Sequence, residues 1–199
     1  MDSKETHNAI LKKFGFRRKR KDNNPWSSGK GYGRKHLAEM FGEIGFNRGA
    51  EIGVRLGRFS QCLLDANPDL MLYCIDPWGQ YHGVPQARQD RLYRQAVERL
   101  TPYNVKILRK SSMDALADIE DESLDFVYID GNHTFDYACP DIIFWSRKVK
   151  SGGIVACHDY LPFRWNGVIQ AVDSYTHCHH IDPWFITKER EPSVYWVKP

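Results

Sequence analysis

The chain has 199 residues, 42% of them hydrophobic and 27% charged, and its 28 basic and 25 acidic side chains leave a net charge of +3. That length and balance suit one domain with a full core and exclude an intrinsically disordered chain. No run approaches the roughly 20 apolar residues that a membrane-spanning helix needs.

Met1-Asp2-Ser3-Lys4-Glu5 has no apolar signal core, so export is not expected. Five cysteines (62, 74, 139, 157 and 178) cannot all pair, and none forms a Cys-x-x-Cys motif. Cys74 and Cys157 sit in apolar runs, as reduced buried thiols do. A reducing cytoplasm fits this usage.

Residues 1–33 read as a basic N-terminal extension. A short helix is expected around Ala9–Phe14, followed by the run Arg17-Arg18-Lys19-Arg20-Lys21. Such a run either contacts nucleic acid or another anion, or is a solvated lead-in. No aromatic-rich platform accompanies it, so the solvated reading is the simpler one. Asn23-Asn24-Pro25 and Gly29–Gly33 then break regular structure.

From residue 34 to 199 strands alternate with helices. Lys35–Phe41 is predicted as a helix, Ala50–Val54 as a strand and Phe59–Ala66 as a helix. Leu70–Ile75 is a nearly unbroken apolar run, as in a parallel strand buried on both faces. Arg88–Leu100 follows as a helix, Val105–Leu108 as a strand, Met113–Ile119 as a short helix and Leu124–Ile129 as a buried strand. Tyr137–Val149 is predicted as a helix stopped by Ser151-Gly152-Gly153, before a strand at Ile154–Cys157 and a helix from Val168 to Tyr175. Trp184–Thr187 and Val194–Val197 are too close in sequence for a parallel crossover and must form an antiparallel hairpin. The expected fold is α/β and Rossmann-like. It has a mostly parallel seven-stranded sheet, helices on both faces and a terminal antiparallel hairpin.

Ligands of such sheets bind at the carboxyl ends of the strands, so the residues just after each strand carry the information. Gly53 and Gly57 punctuate the turn after the first main strand and let backbone approach a ligand closely. Their Gly-x-x-x-Gly spacing does not meet the dinucleotide fingerprint. Asp76 follows the next strand, 23 positions beyond Gly53, where a carboxylate can accept hydrogen bonds from both hydroxyls of a ribose. Trp78, two residues on, offers a flat surface for an adenine ring.

This pattern resembles the class I S-adenosylmethionine-dependent methyltransferases over roughly residues 45–199. The resemblance implies S-adenosylmethionine as cofactor, Glu51 as the acid of the first motif, and Ser112 and Met113 as adenine contacts. Capping of a helix by Ser112 is the plain alternative at that position.

The most distinctive segments come later. Ile129-Asp130-Gly131-Asn132-His133 ends one strand, and Cys157-His158-Asp159-Tyr160 ends the next. Adjacent strands would bring Asp130, His133, His158 and Asp159 to one edge beside the methyl donor. The pair of segments resembles the sugar- and macrolide-type small-molecule O-methyltransferases. That subgroup implies a divalent cation held by Asp130, His158 and Asp159, although His158 stands where a carboxylate is usual.

Two mechanisms follow. In one, His133 is the general base, as suits a side chain that titrates near pH 6.5 when unperturbed. In the other, Mg²⁺ on Asp130 and Asp159 acidifies an acceptor hydroxyl. His177-Cys178-His179-His180 resembles a metal tract in composition but has no partner ligands at suitable spacing, and reads as structural.

The expected function is methyl transfer to oxygen of a small or glycosylated acceptor. RNA or protein methylation through the basic run, and a non-catalytic cofactor-binding interaction protein, are the alternatives. A homo-oligomer is compatible with the sequence.

Overall fold

The computed structural model describes residues 2–16, 25–29, 31–80, 83–163 and 165–199. The basic run 17–21 lies outside the described residues, as does Tyr81, which by sequence could wall an aromatic acceptor pocket with Tyr32, Phe163 and Trp165 or merely pack.

The chain opens with α1 (Ser3–Phe14), whose start is fixed by a reciprocal cap between Asp2 and Glu5 and whose end is Gly15 at φ 64°. Ile10 and Phe14 are buried, and the Thr6 hydroxyl donates to the Gly152 carbonyl at 2.7 Å. This helix, part of the segment set apart in sequence as an extension, therefore packs into the same core as the sheet.

β1 (Trp26–Ser27) precedes α2 (Arg34–Glu43), β2 (Arg48–Ile52), α3 (Arg58–Ala66), β3 (Met71–Ile75), α4 (Gln86–Leu100) and β4 (Val105–Leu108). Then come α5 (Ser112–Ala115) with a 3₁₀ turn at Leu116–Asp118, β5 (Leu124–Ile129), α6 (Phe135–Lys148), β6 (Val149–Cys157), α7 (Val168–Cys178), β7 (Trp184–Ile186) and β8 (Val194–Val197).

The strands lie in the order β1-β7-β8-β6-β5-β2-β3-β4. All pairings are parallel except β6 with β8 and β7 with β8, so the terminal hairpin is antiparallel as the short connection requires. The described sheet has eight strands rather than seven. The added one is β1, two residues that pair with β7 and carry too little sequence pattern to be seen.

The end of α6 also differs from the expected one. The helix stops at Lys148, and β6 begins at once with Val149, so Ser151-Gly152-Gly153 lies inside the strand. A Cβ on Gly153 would sit 2.5 Å from the Asp125 carbonyl oxygen. The glycine is there for close backbone packing, not to end a helix.

The two faces of the sheet alternate with period two. Phe126 and Tyr128 of β5 join the core under α1–α4, while Val127 and Ile129 join the core under α5–α7. The chain runs outward through β2, β3 and β4, then returns to place β5 on the other side of β2. The switch in strand order therefore falls between β2 and β5, which puts a crevice at their carboxyl ends. No helix among the described residues is long and apolar enough to cross a membrane.

Candidate active site

The floor of the crevice is the turn from β2 into α3. Gly53 has φ 92°, and its N–H donates to the Ile75 carbonyl at 2.8 Å. A Cβ there would lie 2.0 Å from the Asp130 carbonyl oxygen, so only glycine lets the tips of β2 and β5 meet. Gly57, at φ 69°, begins α3 against Leu100.

Glu51 lies beneath this floor, 1% exposed, and accepts the Ser60 hydroxyl proton. Burial pushes its carboxyl up to about 8, against the opposing pull of the Ser60 bond. It ties β2 to α3 and is closed off from the crevice.

On one side of Gly53 stands Asp76. One carboxylate oxygen accepts the Arg55 N–H at 2.8 Å and the other the Trp78 N–H at 2.7 Å. Burial raises its pKa, while those two backbone bonds oppose the rise. Each oxygen keeps a further lone pair, so the acid can still accept a hydroxyl from a sugar.

Trp78 is not the open adenine platform suggested by its position. It is 1% exposed, its Nε1–H donates to the Arg55 carbonyl at 2.8 Å, and Tyr93 packs against it edge-on. Ser112 opens α5, with its side chain beside the buried Asp141. The cap of that helix is Ser111, whose hydroxyl accepts the Asp114 N–H. Met113 is an exposed apolar side chain beside Ser112.

On the other side of Gly53 the tips of β5 and β6 do converge. His133 Nε2 lies 3.2 Å from an Asp159 carboxylate oxygen. One ligand atom from each of Asp130, His133 and Asp159 falls within 4.8 Å of the others.

His158 does not join that group as a ligand, contrary to the set expected from sequence. It is buried, with Nδ1 3.4 Å from an oxygen of both Asp130 and Asp159 and aligned well to neither. Burial alone would favour the neutral ring, but the two carboxylates outweigh it and hold the imidazole up to about 9. Asp159 is held below the usual range by His158, His133 and Arg34, although burial works the other way.

Arg34, from the first turn of α2, completes the cluster. Its Nη1 lies 3.5 Å from Asp130 and its guanidinium stacks 5.1 Å from the centre of the Phe59 ring. Nothing in the sequence singled out this residue. It lies 19 positions before Gly53, and only the docking of α2 brings it to the strand tips.

The family profile for a methyltransferase domain matches residues 50–160, from the strand before the glycine turn to just past the His158-Asp159 pair. This chain belongs to that family. The chain is also similar to an uncharacterized protein, y4gI, of Sinorhizobium fredii, 29% identical over 118 residues. That stretch is 55% of this chain, and the match spans only 12% of the relative.

Among solved structures, the methyltransferase domain is similar to the O-methyltransferase TomG of Streptomyces achromogenes, crystallised in complex with SAM. The TM-score is 0.61 at 17% identity, covering 83% of this chain and 80% of that one. It is similar as well to an O-methyltransferase of Bacillus cereus in complex with SAH, at TM-score 0.61 and 14% identity, with 82% and 80% covered. These likenesses establish the fold of class I S-adenosylmethionine-dependent methyltransferases.

Two carboxylates and an imidazole at the strand tips form a mixed donor set, closer to what a transition metal takes than to the all-oxygen shell of Mg²⁺. Arg34 and His158 already lie against the two carboxylates. The His177–His180 tract lies at the exposed end of α7, and it is not part of this group.

Proposed function

We propose that this protein transfers a methyl group from S-adenosylmethionine to an oxygen of a small acceptor, with His133 as general base. The observation that carries the reading is the pairing of His133 with Asp159 at 3.2 Å, one strand away from the glycine turn that Asp76 and Asp130 flank.

S-Adenosylmethionine supplies an activated sulfonium methyl. The protein's part is to hold donor and acceptor in line and to take the acceptor's proton. Asp76 binds the ribose, and Gly53 and Gly57 let the donor approach the backbone. Ser112 and Met113 stand by the adenine.

With Nε2 turned to Asp159, His133 has Nδ1 left to serve as the basic nitrogen. That nitrogen would take the hydroxyl proton as the acceptor oxygen receives the methyl group from the sulfonium. Phe163, packed edge-on against His133, and the exposed Trp165 stand at the acceptor side. Five free cysteines, two of them buried, support a cytoplasmic location.

The test is methyl transfer from tritiated S-adenosylmethionine to a panel of phenols and sugars, with RNA as a second acceptor class. Assays run in EDTA and with added Mg²⁺ or Mn²⁺. Labelling of small hydroxyl compounds undiminished by EDTA is expected. Labelling of RNA alone, lost when the run 17–21 is changed to serine, would overturn the small-acceptor reading. Activity only with added metal would overturn the base.

A further inference from the structure

We propose that Arg34 holds the carboxylate of the donor's methionine end and so makes the site selective for the complete amino-acid cofactor. This rests on the donor site described above.

The strand order fixes how a long ligand must lie. β5, β2 and β3 are neighbours, so Asp130, Gly53 and Asp76 form a row along the crevice. With ribose on Asp76, the other end of the donor extends past Gly53 toward Asp130. That end carries an ammonium and a carboxylate. Asp130 suits the ammonium, and the carboxylate needs a cation on the same side.

Arg34 is placed there. Its guanidinium spans the Phe59 ring, in the first turn of α3, and Asp130 at the tip of β5. The buried Tyr128 hydroxyl lies beside it. These contacts use only part of its five N–H donors, and its side chain remains 36% exposed. A planar fork of donors matches a carboxylate in a way a point charge does not.

The backbone is fixed too. The Arg34 N–H donates to Glu189 at 2.8 Å, and the Lys188 N–H donates to the Tyr32 carbonyl at 2.8 Å. The loop between β7 and β8 thus holds the start of α2 in register with the strand tips. Asp130 faces the Arg34 guanidinium, Glu189 accepts its backbone N–H, and Asp159 and Glu51 also feel its charge.

The experiment compares two ligands by calorimetry. S-Adenosylhomocysteine carries the amino-acid end, and 5′-methylthioadenosine has the same adenosine and sulfur without it. In R34Q, affinity for S-adenosylhomocysteine should fall about 10- to 100-fold, as losing a charge-assisted hydrogen bond implies. Affinity for 5′-methylthioadenosine should stay within about twofold, since it lacks the groups concerned. R34K should recover part of the loss. Equal weakening of both ligands would mean that Arg34 only props the fold, and unchanged binding of both would mean it faces elsewhere. Either result overturns the proposal while leaving the donor site standing. Wild-type protein that binds neither ligand would remove the donor site itself.

Discussion

Replacing Glu51 by glutamine should change how stability depends on pH more than it changes stability at any one pH. Glu51 is buried, and its carboxyl titrates at about 8 in the folded protein against an ordinary 4.5. The folded state therefore keeps a proton that the unfolded chain releases. Stability from this group is full below pH 4.5 and is lost as pH rises toward 8, where it levels off. Between pH 5 and pH 8 the loss integrates to about 3 kcal/mol, at roughly 1.4 kcal/mol per decade.

Glutamine keeps the length and an acceptor for the Ser60 hydroxyl but has nothing to ionise. Urea unfolding of wild type and E51Q at matched pH values measures the difference. Asp141, pushed up to about 6 by its burial, titrates in both proteins and cancels. E51Q should gain about 3 kcal/mol relative to wild type from pH 5 to pH 8. A difference that stays constant over that range would show Glu51 equally solvated in both states, and the reasoning would fail.

Gly53→Ala should cost roughly 3 kcal/mol or more, from left-handed strain plus the forced separation of β2 from Asp130, and should abolish S-adenosylhomocysteine binding in calorimetry. Asp76→Ala should weaken S-adenosylhomocysteine and 5′-methylthioadenosine alike by about 10-fold or more, because both carry the ribose; undiminished affinity would place the sugar elsewhere. His133→Gln should lower kcat by about 10²- to 10⁴-fold while the affinity for S-adenosylhomocysteine is unchanged, in single-turnover methyl transfer. Loss of donor binding in that variant would contradict a role confined to the proton.

Much of the fold was legible along the chain because its signals are local. Apolar runs such as Leu124–Ile129 mark strands buried on both faces, and the short link before Val194 forces an antiparallel hairpin. The glycine turn and the acids after consecutive strands were legible for the same reason, since parallel strands send the residues that follow them to one edge.

Other features depend on packing between distant segments. Trp78 has the composition of a ligand platform but is covered by Tyr93 and α4. His158 reads as a metal ligand by position, yet it is buried between two carboxylates that hold its imidazole above the usual range. β1 is two residues long and exists only because β7 leaves an edge for it. Arg34 carries no signal in its own neighbourhood, because its place beside Asp130 comes from how α2 docks and how Glu189 holds its first turn. Periodicity and turn chemistry are properties of a few consecutive residues, so sequence alone determined the order of the strands along the chain and the acids at their tips. Which of those polar groups are covered, charged or paired is decided by surfaces that meet only when the sheet and its helices close, and that required the tertiary structure.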